Sequence, residues 1–123
     1  MDRQTLHEHI RSTYGVPADY PWEDKNAVYR HKDNKKWFAL IMDIPKSKLG
    51  ITDDEIVSVV NLKCDPLLSG SLLGDEGIHP AYHMNKAHWI TLRLDSSVPD
   101  DKVLWLLDIS HSLTENKNKP KNK

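Results

Sequence analysis

The sequence predicts an α+β fold: a two-layer, mainly antiparallel five-stranded sheet with helices on one face, in the order α-β-β-β-α-β-β-α. Three observations point there. Short runs rich in β-branched and aromatic residues follow one another across tight polar turns, a spacing that joins strands antiparallel. Amphipathic helical stripes stand near both ends of the chain. A helix-start signature, Asp65-Pro66, separates the strands into a group of three and a group of two. A sheet with its helices on one face leaves the second face open to solvent or to a partner.

The elements follow in order. Asp2 is placed to cap a first helix, Leu6, Ile10 and Tyr14 form its apolar stripe, and Gly15 ends it. Residues 16–24 hold two prolines and read as an irregular loop, with Trp22 tucked against the body. Residues 27–44 read as a hairpin turning at Asp33-Asn34, a pair that tolerates positive φ. That turn pairs Tyr29 with Phe38, Arg30 with Trp37 and Lys32 with Lys35. Alternation then sends Tyr29, Phe38, Leu40 and Met42 to the core and Arg30, Lys32, Lys35 and Trp37 to the other face.

Residues 45–55 form an excursion with room for one helical turn, and 56–63 (IVSVVNLK) a central strand. A short helix starts at Asp65-Pro66, packed through leucines and weakened by Ser69-Gly70-Ser71. Residues 78–94 read as a second hairpin, turning at Asn85-Lys86. A turn at Asp95-Ser96-Ser97 then feeds the closing helix, which begins at Pro99 and has Asp100 and Asp101 in its first turn, where the helix dipole favours acids. Val103, Leu106, Leu107, Ser110 and Leu113 form its inward stripe. Residues 1–116 are expected to make one domain, and 117–123 a disordered basic tail.

Composition bounds the function. Hydrophobic residues are 38% and charged residues 28% of 123, as in a soluble protein, and no apolar run is long enough to cross a bilayer. The polar N-terminus and a lone cysteine, Cys64, point to the cytoplasm. The net charge of −1 is uneven: four of 17 basic residues fall in the last seven positions, which leaves 13 basic against 18 acidic, or −5, in residues 1–116. Nucleic acid is therefore a partner only if positive charge gathers locally.

With the elements placed, the residues carry a resemblance. Asn61-Leu62-Lys63-Cys64-Asp65-Pro66, the run from His83 to Thr91 (HMNKAHWIT) and Leu94-Asp95-Ser96-Ser97-Val98-Pro99-Asp100 resemble the MmcQ/YjbR family of small bacterial proteins. Val28-Tyr29-Arg30 and Trp37-Phe38-Ala39-Leu40 look like that family's first hairpin. The resemblance runs from about residue 3 to residue 115. It implies a fold similar to type III secretion chaperones and compared with CyaY-like (frataxin-like) folds, and it suggests DNA binding through a "double wing" of two hairpins. It brings no enzymatic activity and no cofactor. Residues 45–55 are longer here than in shorter members.

Spacing decides among the candidate sites. His79 and His83 share a strand face but stand about 13 Å apart. His83 and His88 face each other across a two-residue turn, yet two ligands make no metal site, so a structural histidine pair is favoured. Cys64 precedes a helix start, which lowers a thiol pKa, but shares the inward face with Leu62 and reads as a core residue. Neither phosphate loop nor nucleophile elbow is present, so no catalytic residue is assigned. The open face is more informative. From the first hairpin project Arg30, Lys32, Lys35 and Trp37, and from the second Tyr82, Trp89, Thr91 and Arg93 with Lys86 at the tip. Basic and aromatic side chains so mixed can hold a nucleic-acid strand. They can equally pack under a loop through Trp22, or meet a protein partner or a second copy. The functional expectation is a noncatalytic DNA-binding module using Arg30, Lys32, Lys35, Lys36, Lys86 and Arg93 for phosphates and Trp37 and Trp89 for stacking. The alternative is an adaptor or chaperone-like module using the open sheet face.

Overall fold

The computed structural model describes residues 1–116; the basic segment 117–123, expected to be a disordered tail, lies outside them. Three helices, α1 (Arg3–Tyr14), α2 (Pro66–Leu72) and α3 (Asp100–Leu113), pack on one face of a five-stranded antiparallel sheet. The strands are β1 (Ala27–Arg30), β2 (Trp37–Pro45), β3 (Ile56–Lys63), β4 (Ile78–Pro80) and β5 (Trp89–Arg93), in spatial order β1-β2-β3-β5-β4. The expected element order holds, and the one helical turn for which residues 45–55 had room is a 3-10 turn (Lys46–Leu49) between β2 and β3.

Local chemistry sets the helix ends. The Asp2 carboxylate accepts the Thr5 N–H at 2.8 Å, and Gly15, at φ 68°, turns the chain out of α1 in the left-handed region. Asp65 likewise accepts the Leu67 N–H, and Pro66 occupies the first helical position where no N–H is needed. Leu6, Ile10, Leu106 and Leu107 from the helices close over Tyr29, Phe38, Ile41, Leu62 and Ile90.

Both hairpins differ from expectation. In the first, Arg30 pairs with Trp37, but Tyr29 pairs with Ala39 rather than Phe38, so Phe38 is an extra residue in β2. Such a bulge exchanges the faces of all that follows it. Phe38, Ala39 and Ile41 therefore join the helix-side core, while Leu40 and Met42 turn to the second face, the reverse of the alternation expected for those two. The loop spans residues 32–35 rather than two residues: Lys35, at φ 64°, donates to the His31 carbonyl, and His31 donates to the Lys36 carbonyl.

α3 stabilises this irregularity. The Ser110 hydroxyl donates to the Phe38 carbonyl at 2.6 Å and accepts the Lys63 N–H at 2.8 Å, taking the place of a ladder bond between β2 and β3. One turn further on, Thr114 and the end of α3 meet the hairpin tip. His31 Nε2 lies 2.8 Å from Thr114 Oγ1, and the Asn34 amide donates to the Thr114 carbonyl at 2.9 Å.

In the second hairpin, Pro80 pairs with Ile90 and residues 81–88 form a long connection, with a turn at 85–88 inside it, instead of a two-residue turn at Asn85-Lys86. Tyr82 and Trp89 are thus not cross-strand neighbours; Trp89 stands opposite Lys63.

The second face is not open. The bulge places Leu40 and Met42 there beside Val28, Ile44, Val57 and Val59, an aliphatic surface that would be costly to expose. Leu49 from the 3-10 turn and Tyr82 and Met84 from the 81–88 connection pack against it. Trp22 meets Trp37 edge to face at 5.8 Å but stays 43% exposed, so it leans on the body rather than being tucked into it. Loops therefore cover the face on which a partner was expected.

Replacing Ser110 by Ala leaves the Phe38 carbonyl and Lys63 N–H without their shared partner. We expect a loss of about 2–4 kcal/mol of stability with the fold retained, measured by urea denaturation.

Candidate nucleic-acid interface

Antiparallel order brings four chain features to one end of the sheet: both hairpin tips, the C-terminal end of β3 and the C-terminal end of α3. There the surface is hollowed into a groove of about 380 Å³. Lys35 and Lys36 come from the first tip, Lys63 from β3, Met84 from the second connection, and Trp37 and Trp89 from the first residues of β2 and β5. Leu113 and Thr114 complete the lining, which contains no carboxylate. The Lys63 ammonium stands over the Trp89 ring, 5.9 Å from its centroid, a cation–π placement that holds the amine at the groove. Trp89 is 9% exposed and Trp37 half-buried, while Lys35 and Lys36 are exposed.

The other basic residues singled out from sequence lie elsewhere. Arg30 is ion-paired with Asp19 across the isolated bridge between Asp19 and Val28. Arg93 is at the far end of β5, with Nε 3.6 Å from the Asp95 carboxylate and buried without a hydrogen bond. Burial alone would raise the Asp95 pKa, but the Ser97 hydroxyl and N–H, with Arg93, hold it below the usual carboxylate range. Arg93 thus faces an ionised partner. Lys86 projects from the second connection beside a separate hollow of about 150 Å³ shared with Lys48, His79 and Tyr82. Lys32 is exposed in the first tip. Four of the eight expected positions, Lys35, Lys36, Trp37 and Trp89, therefore converge, and Arg30, Lys32, Lys86 and Arg93 do not line the groove.

Lys63 is the residue that the sequence reading missed. Its signal was present: in β3 it alternates with Leu62 and Cys64, so it shares the second face with Asn61.

His79, His83 and His88 form no metal-binding group. His79 pairs with Thr91 in the sheet, while His83 and His88 lie in the connection and His83 is packed on Tyr82, ring centroids 4.0 Å apart. Burial, then the neighbouring Arg93, pushes the His79 pKa down. Among the described residues no three His, Cys, Asp or Glu side chains are grouped to hold a metal ion. Cys64 is 2% exposed within the helix-side core, and burial, followed by the Asp65 charge, pushes its thiol pKa up. No described helix is long and apolar enough to cross a membrane.

A family model described as YjbR matches residues 11–113. The chain belongs to the YjbR family. It is 38% identical over 117 residues to the Bacillus subtilis protein YyaQ, a match covering 94% of this chain and 99% of that one. It is 40% identical over 58 residues to Escherichia coli YjbR, 46% of this chain and 49% of that protein. A crystal structure from Pseudomonas syringae shares 45% identity with a TM-score of 0.91, over 94% of this chain and all (100%) of the other. A Deinococcus radiodurans protein shares 25% identity and a TM-score of 0.68, over 93% and 81%. The YjbR fold thus frames the groove.

With its thiolate form disfavoured, Cys64 should resist labelling by a thiol reagent at pH 8 in the native protein and react only as the chain unfolds. Rapid native labelling would contradict its placement in the core.

Proposed function

We propose that this YjbR-family chain is a noncatalytic, cytoplasmic nucleic-acid-binding module that grips a DNA strand at the paired hairpin tips. The observation that carries this reading is the groove itself: three lysines and two tryptophans with no carboxylate in the lining, in a chain whose residues 1–116 sum to −5. Lysines so placed neutralise phosphates, and the half-buried Trp37 offers an aromatic surface to a base. Lys35, Lys36 and Lys63 are the phosphate contacts, while Arg30 and Arg93, each beside an aspartate, serve the fold. The adaptor reading relied on an open sheet face, and loops occupy that face.

Three phosphate contacts give a definite salt dependence. For a single strand the slope of log K against log salt should be about −2, at roughly 0.7 per contact. Fluorescence anisotropy with a labelled oligonucleotide measures it. The Lys35→Glu/Lys36→Glu variant should lose most affinity and flatten the slope by about 0.7 per lysine. Absence of binding at low salt would overturn the reading.

A further inference from the structure

Beside the lysine groove lies a second hollow of about 310 Å³, lined by Trp22, Asn26, Trp37, Leu40, Met42, His83 and Met84. Its lining is almost wholly apolar, with no lysine, arginine or carboxylate. Leu40 and Met42, each 4% exposed, belong to the second-face core, and the walls come from the 16–26 loop, β2 and the 81–88 connection. The Asn26 amide and His83 imidazole are its polar groups. A closed apolar cavity of about 150 Å³ accepts benzene. This hollow is open to solvent, about twice as large and lined by two tryptophans and two methionines, and it suits a planar two-ring heterocycle, since sulfur–aromatic and aromatic–aromatic contacts favour flat π-systems.

Trp37 and Met84 line both this hollow and the lysine groove. The two are therefore neighbours separated by those side chains, one neutral and aromatic, the other cationic. That juxtaposition matches the two halves of a nucleotide. We propose that the hollow takes one unstacked nucleobase, a purine by size, from the strand whose phosphates lie along Lys35, Lys36 and Lys63. The inference rests on the nucleic-acid reading above and adds selectivity for single-stranded over duplex DNA. A base within a duplex is stacked and paired, and withdrawing it carries an energetic penalty that a single strand largely avoids.

The test compares three labelled probes by anisotropy: an oligodeoxyadenylate, an abasic strand of equal length, and a duplex. Trp22 is the useful handle because it walls the hollow without lining the groove. For the wild type, the abasic strand and the duplex should each bind about 10-fold or more weakly than the oligodeoxyadenylate. Trp22→Ala should weaken oligodeoxyadenylate binding about 10-fold while leaving abasic affinity and the salt slope unchanged. Trp22→Phe, which keeps a ring, should restore most of the loss and controls for misfolding. Equal binding of the abasic and adenylate strands, or an adenylate affinity untouched by Trp22→Ala, overturns the base pocket. In that case a salt-dependent interaction lost in Lys35→Glu/Lys36→Glu leaves the groove reading standing. If no strand binds at low salt, the groove reading fails and the base pocket with it.

Discussion

Three hydrogen bonds close a ring around Asn61. Its amide donates to the Tyr82 carbonyl at 2.8 Å, the Thr91 hydroxyl donates to its side-chain oxygen at 2.5 Å, and that hydroxyl accepts the Tyr82 N–H at 2.9 Å. Asn61 and Thr91 are fully buried and opposite each other on adjacent strands. A buried amide left without partners costs about 1–3 kcal/mol, so the pair needs something to bond to, and the Tyr82 backbone fills that need. The 81–88 connection is thereby fixed over the sheet. Tyr82 and Met84 follow it onto the aliphatic second face. The same anchoring sets Met84 between the two hollows and Lys86 beside the separate one with Lys48 and His79.

A second constraint acts on the other side of β3, toward β2. The Phe38 bulge directs Leu40 and Met42 toward the second face, and Ser110 accepts and donates where the β2–β3 ladder is interrupted. Without the bulge the second face would carry fewer aliphatic side chains and have less need of a cover. The two constraints thus depend on each other: one makes the face apolar, and the other holds the cover in place. Their shared product is a sheet end where Trp37 and Trp89, the first residues of β2 and β5, stand among three lysines.

Features governed by neighbouring residues were legible in the sequence. Asp2 and Gly15 bounding α1, Asp65-Pro66 opening α2 and the β-branched run of β3 all rest on chemistry within a few positions. The misplaced features rest on partners far away. Ser110 lies 72 residues from Phe38, so local alternation gave no sign of the bulge, and a face exchange in β2 followed. Tyr82 is held from 21 residues away by Asn61, so the turn that Asn85 does begin, closed by the His88 N–H on the Asn85 carbonyl, does not serve as the hairpin's two-residue turn. Asn85 still shapes the chain locally, accepting the Ala87 N–H on its side chain at 2.8 Å, but within a longer loop. For the site, exposed lysines on a tip were legible, Lys63 was available from alternation alone, and the ion pairs that occupy Arg30 and Arg93 required tertiary structure.

The 81–88 connection is fastened over the second face by the Asn61–Thr91 pair, and the Tyr82 amide, which donates to the Thr91 hydroxyl, reports on that fastening directly. Native-state hydrogen exchange should show this amide strongly protected in the wild type, despite its place in a loop. In Thr91→Val, which removes its acceptor, it should exchange like an open loop while the amide of Val60 in β3 stays protected. Rapid exchange of Tyr82 in the wild type, or protection unchanged by the substitution, would contradict the account.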